Sequence, residues 1–255
     1  MEELLVQLAI ICPLVFAAAF IDAVAGGGGL ISLPAYLLAG LPPHTALGTN
    51  KVVSSVGTLM AAAQYIRKGK ANMLIAAFSA LGCIAGAWLG STLVLYIDES
   101  VLNIVLLVIL PVVAVFLVTR KDLGSESVSE LEMIKSKMAI LSVLIGFCIG
   151  FYDGLIGPGT GTFLILAFSA VFKINLVTAS GCAKVSNFAS NITSAIVFLF
   201  AGEVLYAVIF PAMLCSVAGG FSGAKYAIKG GSKKIRKFIF VVIALLFVKF
   251  FIDLI

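Results

Sequence analysis

The chain has 255 residues, 62% of them hydrophobic and 11% charged, with a formal net charge of +5 and a mean hydropathy of +1.19. Ordinary soluble domains carry about a quarter charged residues, so a soluble fold is excluded for want of charge to cover its surface. The long apolar runs are continuous rather than alternating, which argues against a transmembrane barrel and leaves an all-α polytopic membrane protein.

Each membrane span needs ~20 mainly apolar residues, and the sequence divides on that scale. Residues 4–25 form the first run, with Asp22 near its end; Glu2 and Glu3 replace the basic start of a cleavable signal, so this run is read as a span. Gly26, Gly27, Gly28 and Gly29 then break the helix, because each glycine costs ~1 kcal/mol in a helix interior. Residues 30–39 are apolar but too short for a perpendicular span, and the Pro42–Pro43–His44–Thr45 turn, with His44 read as ordinary surface, leads into a run over 46–66 that contains Lys51. Residues 71–97 span next, with Gly82, Gly86 and Gly90 on one face where another helix can approach closely. A run over 101–119 and a polar linker over 120–137 close the first half.

The second half repeats this order. The run 138–156 carries Asp153 near its end, the break Gly157–Pro158–Gly159–Thr160–Gly161 follows, and a short run covers 162–172. The run 178–200 holds Lys184, 204–228 holds Gly219 and Gly223 where the first half has Gly86 and Gly90, and 238–255 is the last. The expectation is therefore two transmembrane repeats, 1–119 and 138–255, with about eight full spans and two short broken-helix segments.

Basic residues gather in 67–70, 120–137, Lys173 and 229–237; Glu2–Glu3, Asp98–Glu99, Glu203 and Asp253 occupy the other connections and termini. If each short segment changes sides, every basic loop falls in the cytoplasm, as the positive-inside rule prefers. Each half then crosses an odd number of times, and the two repeats are inverted, an arrangement common in secondary transporters with the site at the repeat interface. The positive charge thus reports membrane orientation rather than binding to nucleic acid.

A buried lysine costs ~2.5–3.5 kcal/mol at membrane depth, so Lys51 and Lys184, each following a glycine at equivalent places, are the sharpest signal; snorkelling from a helix end is the bland alternative. Their expected role is a fixed positive charge for a small anion. The breaks at Gly26–Gly29 and around Gly157, Gly159 and Gly161 would expose backbone N–H groups and helix N-termini to the same anion, or serve only as hinges and packing points. Asp22 and Asp153 have three readings: charge partners of the lysines, helix caps, or a site for a coupling proton or sodium ion. Thr49, Asn50, Ser54, Ser55 and Thr58 in one half, and Cys182, Ser186, Asn187, Ser190 and Asn191 in the other, offer further polar contacts. The five cysteines show neither metal spacing nor a disulfide framework and, Cys182 apart, read as small packing residues. No metal-binding histidine pair or nucleophile motif is present, so neither an enzyme nor a cofactor is expected.

The stretch Asp22-Ala-Val-Ala-Gly-Gly-Gly-Gly, with Leu33–Pro34 and Gly48–Thr49–Asn50–Lys51, resembles the N-terminal signature of the TauE/SafE family of sulfite and organosulfonate exporters, and Asp153–Gly154 with 157–161 resembles its repeat. The resemblance covers nearly the whole chain and departs at Cys182–Ala183, where the first half has Thr49–Asn50. It implies an inner-membrane carrier of sulfite, thiosulfate or an organosulfonate. From the residues alone, an anion channel or an ion-coupled carrier of another small organic anion remains open, as does a homodimer formed on the glycine faces within the lipid.

Overall fold

The computed structural model describes residues 2–102, 104 and 134–254. The expected run over 101–119 and most of the 120–137 linker lie outside the described residues. Those described form eight helices and no strand: α1 Glu2–Ala25, α2 Gly29–Leu38, α3 Pro43–Arg67, α4 Met73–Val94, α5 Lys135–Leu155, α6 Thr160–Phe172, α7 Leu176–Ala201 and α8 Tyr206–Leu254. Among the described residues, four segments are long and apolar enough to cross a membrane: Leu4–Ala25, Met73–Val94, Lys135–Leu155 and Tyr206–Ile235. α3 and α7 match them in length, at 25 and 26 residues, but mix polar side chains with apolar ones on their buried faces. α8 is two helical segments joined at a kink at Gly231, whose φ is 67°, and the last apolar run belongs to the second of them.

α2 and α6 are the two short segments, of 10 and 13 residues. At ~1.5 Å per residue neither spans a ~30 Å hydrocarbon core. Both begin in the protein interior, directly after the glycine breaks, where a helix end escapes lipid.

The glycine faces set the packing. A Cβ on Gly82, Gly86 or Gly90 would overlap the α5 backbone at Val143, Phe147 or Phe151, and one on Gly146, Gly150 or Gly154 would meet α4 at Ser79, Cys83 or Ala87. α4 and α5 therefore run side by side in parallel, backbone against backbone, the close approach that small residues permit in lipid. α8 lies along α1 in the same way, Gly219 against Phe16 and Gly223 against Phe20. These faces serve contacts inside the chain, each joining a helix of one half to a helix of the other. Gly86→Leu is expected to separate α4 from α5, with loss of the monodisperse folded species on size-exclusion chromatography in detergent.

α3 and α7 run antiparallel through the middle. Gly48 near the start of α3 sits against the Glu203 carbonyl beyond the end of α7, and Gly181 near the start of α7 sits against the Lys70 carbonyl beyond the end of α3. One apolar cluster, around Phe168, Leu164 and Tyr65, packs at one end of the pair; the other, around Tyr36, Leu33 and Phe198, packs at the opposite end.

His44 is not a surface residue. It lies in the first turn of α3, 7% exposed, with Nε2 3.0 Å from the Val94 carbonyl and Nδ1 3.7 Å from Glu99 Oε1. The Val94 carbonyl, at the end of α4, accepts from the Ile97 N–H at 3.1 Å, and the His44 ring is its second partner. We expect His44→Ala to cost ~0.5–1.5 kcal/mol, the net worth of one hydrogen bond to a carbonyl that keeps another donor, measured as a lower melting temperature in detergent.

Candidate functional site

α1 ends in the glycine break because Gly26 takes φ +84°, in the left-handed region that side chains disfavour. α5 ends similarly, with Gly157 at φ +92° and Gly159 at φ +83°. The two breaks meet each other. Thr162 donates from its backbone N–H to the Gly26 carbonyl (3.2 Å) and from Oγ1 to the Ala25 carbonyl (2.7 Å). A Cβ on Gly26 would overlap the Gly161 backbone. The ends of α1 and α5 and the starts of α2 and α6 are thereby clasped together.

The buried charges are paired across the halves. Lys51 Nζ on α3 lies 2.8 Å from Asp153 Oδ2 on α5, with side chains 2% and 3% exposed. Lys184 Nζ on α7 lies 2.8 Å from Asp22 Oδ2 on α1, with side chains 0% and 14% exposed. Lys51 also donates to the Asp153 backbone carbonyl at 2.5 Å, and the Ser190 hydroxyl donates to Asp153 Oδ2. Each acid therefore serves as the charge partner of the other half's lysine. Neither caps a helix: α2 and α6 have Gly28 and Gly159 at their N-caps, with no side-chain cap.

A cavity of about 560 Å³, counted with its open mouth, lies between these elements. Asp22, Asp153 and Lys51 line it. Asn50, Ser54 and Thr58 stand in one row on α3, and Asn187 and Asn191 face them from α7. Gly26, Gly28, Gly29, Gly157 and Gly161 bring the two breaks to its wall. Among the described residues, the N–H groups of Gly28, Gly29 and Gly161 meet no hydrogen-bond acceptor. The cavity thus combines amide and hydroxyl donors, free N–H groups at two helix starts and one lysine with its carboxylate partner. Such a set suits a small oxyanion, whose several acceptors need donors from more than one side.

Other expected residues lie elsewhere. Lys184 is behind the wall, held by Asp22, and Gly27 and Gly159 are buried in the breaks without lining the cavity. Thr49 and Cys182 do not line it either; they have a shared task. Thr49 Oγ1 accepts from the Leu205 N–H at 2.9 Å, and Cys182 Sγ accepts from the Asn72 N–H at 3.3 Å. Each fastens the connection that follows the other half's long central helix. The exchange of Thr for Cys preserves an acceptor at that place, outside the cavity, whereas the neighbouring exchange of Asn50 for Ala183 leaves, at that position, an amide on the wall from the first half alone. Ser55 bonds its own helix at Val52, and Ser186 is paired with Ser79 of α4.

The sequence reading passed over Ser32, Thr160 and Ser216, all of which line the cavity. Ser216 is a lone small polar residue in an apolar run, a weak signal that many packing serines share. Thr160 stood inside the quoted glycine motif, and its place as first residue of α6 could have marked it. Among the described residues there is no group of three or more His, Cys, Asp or Glu side chains able to hold a metal ion.

A bundle of apolar helices that keeps paired charges around a polar cavity is the make-up of a membrane transporter. The chain belongs to the sulfite exporter TauE/SafE family, which it matches over residues 11–250. It is 36% identical over 234 residues to a probable membrane transporter protein of Haemophilus influenzae, covering 92% of this chain and 90% of that protein. It is 35% identical over 238 residues to the probable membrane transporter protein ORF9 of Sinorhizobium sp, covering 93% and 90%. It is 32% identical over 236 residues to the probable membrane transporter protein YfcA of Escherichia coli K12, covering 92% and 86%. No solved structure matches the chain.

Proposed function

We propose that the chain is a secondary carrier of a small sulfur oxyanion, such as sulfite, thiosulfate or an organosulfonate, working by alternating access with its site where the two halves meet. The observation that carries this reading is the cross-paired Lys51–Asp153 and Lys184–Asp22 set beside a cavity that collects free N–H groups from two helix starts. Paired as they are, two lysines and two acids cancel. An arriving anion can take over part of the Lys51 charge, which loosens its hold on Asp153 and so couples occupancy to contacts between halves. Asp22, at the cavity wall, and Asp153 are then the places for a coupling proton or sodium ion. The sulfur in the substrate comes from the family description.

The antiparallel course of α3 and α7, which hold equivalent places in the repeated sequence, supports inversion of the halves. Basic residues at the starts of α4 and α5 and at the α8 kink, against Glu203 and Glu99 at the opposite end, support an inner-membrane orientation with 67–70, 120–137 and 229–237 in the cytoplasm.

The test is thermal melting of purified protein in detergent against sulfite, thiosulfate and a small sulfonate, with chloride at equal ionic strength as reference. A ligand of the folded state stabilises it by RT ln(1 + [L]/Kd), about 2.7 kcal/mol at one hundred times Kd. We expect a saturable rise in melting temperature with one of the sulfur anions. Melting unchanged by all three removes the proposal.

A further inference from the structure

α1 and α8 lie in a parallel register, Gly219 on Phe16 and Gly223 on Phe20. One helical turn back along each helix stand Cys12 and Cys215. The same register therefore brings the thiols of Cys12 and Cys215 next to each other. Both side chains are half-buried and neither is in a disulfide. A third group completes the cluster. Tyr36 of α2 is 0% exposed, its hydroxyl has no hydrogen-bond partner among the described residues, and it stands near Cys12 and Cys215. A phenol buried without a partner is costly, so its place beside two sulfurs calls for a state in which it is used.

We propose that Cys12 and Cys215 are an oxidisable dithiol that forms a disulfide stapling α1 to α8, with Tyr36 as the positioning residue that donates a hydrogen bond to the thiolate formed on the way. The glycine contacts favour this, because a disulfide needs Cα atoms within ~4.4–6.8 Å, and only helices packed backbone to backbone come that near. The oxidant is a low-molecular-weight disulfide. One cysteine thiolate attacks a sulfur of that reagent, forming a mixed disulfide and expelling one thiolate. The second cysteine, losing its proton, attacks the cysteine sulfur of the mixed disulfide and expels the other. The protein dithiol is oxidised and the reagent is reduced to two thiols, so electrons and protons balance. Cys12 stands near the middle of α1 and Cys215 in the first half of the segment before the α8 kink, both on the Glu2 and Glu203 side of the midpoint. In the orientation proposed above that side faces the periplasm, where disulfides persist.

The bond links helices of the two halves and lies one residue from Ser216 on the cavity wall. Its formation would hold that wall to α1.

The test uses the full chain with Cys83→Ala, Cys148→Ser and Cys182→Ser, purified in detergent and treated with dipyridyl disulfide, a small apolar reagent. We expect intact mass to fall by two hydrogens, with reversal by dithiothreitol and a linked peptide pair carrying residues 12 and 215. Adding Cys12→Ser or Cys215→Ser is expected to leave one thiol carrying a pyridylthio group instead. Tyr36→Phe is expected to close the bond several-fold more slowly at an unchanged fold. Two pyridylthio groups on the doubly thiol-bearing protein, or no change in mass, overturns the proposal; an unchanged closure rate in Tyr36→Phe overturns the part given to the hydroxyl. Mass is read without any transported ligand, so failure of the substrate proposal leaves this result standing.

Discussion

Replacing Lys51 by methionine is expected to abolish transport and to destabilise the fold together. The residue keeps the length and apolar stem of lysine but leaves Asp153, 3% exposed, with its cation gone and the Ser190 hydroxyl as its remaining side-chain partner. Removing one member of a buried pair costs ~3–5 kcal/mol, because the other charge stays buried without compensation. The double variant Lys51→Met/Asp153→Asn removes both charges and is expected to regain most of the melting temperature. It is not expected to regain flux of a sulfur oxyanion in reconstituted vesicles, because the cavity has then lost its fixed positive charge. The Lys184→Met/Asp22→Asn double variant separates the two lysines. Lys184 lies behind the cavity wall, so this variant should melt near wild type and keep its anion-induced stabilisation, while the change at Asp22 lowers coupled flux. Full flux through the Lys51 double variant would mean that the Lys51–Asp153 pair is architecture alone.

Gly26→Ala carries the second largest expected effect. It fails for two reasons at once. A residue with a Cβ pays ~1–2 kcal/mol to hold a left-handed φ, and here the Cβ would also overlap the Gly161 backbone, which Gly26 touches through the Thr162 hydrogen bond. Backbone cannot swing aside as a side chain can, so the clasp between the two breaks must open. We expect a loss of at least ~3 kcal/mol in stability, by analogy with overpacked cores, and loss of anion-induced stabilisation in the protein that does fold. Gly40 is the internal control. It has a similar φ of +85° but nothing within 4 Å of its would-be Cβ. Gly40→Ala should pay the backbone cost alone and keep full anion binding. Equal melting temperatures for the two variants would show that the clasp contributes nothing to stability.

Much of this arrangement was legible in the sequence because it is local. Asp22, Lys51, Asp153 and Lys184 stand out against apolar surroundings, since a charge in lipid needs a reason wherever it sits. Gly26–Gly29 and Gly157–Gly161 mark helix ends by their backbone cost, and α1 and α5 end there. Gly82, Gly86 and Gly90 announce a close helix approach by spacing alone, and α5 supplies the partner.

Other features depended on which helices meet, and no local pattern holds that information. Either lysine could have paired with the acid of its own half. The antiparallel crossing of α3 and α7 decides that each reaches the other's instead. Thr49 and Cys182 carry the same polarity as Asn50 and Asn187 and sit as near the lysines in sequence. Their rotation around the helix turns them to the following connection of the other half rather than to the cavity. His44 reads as a turn residue until the end of α4 is set above it, and Cys12 and Cys215 read as packing residues until α1 and α8 lie in register. Composition and glycine spacing determine by themselves that this chain lives in a membrane, where its helices break and where its buried charges lie. The tertiary structure alone decides which charges neutralise each other and which polar groups face the cavity, because both follow from contacts between segments far apart in the chain.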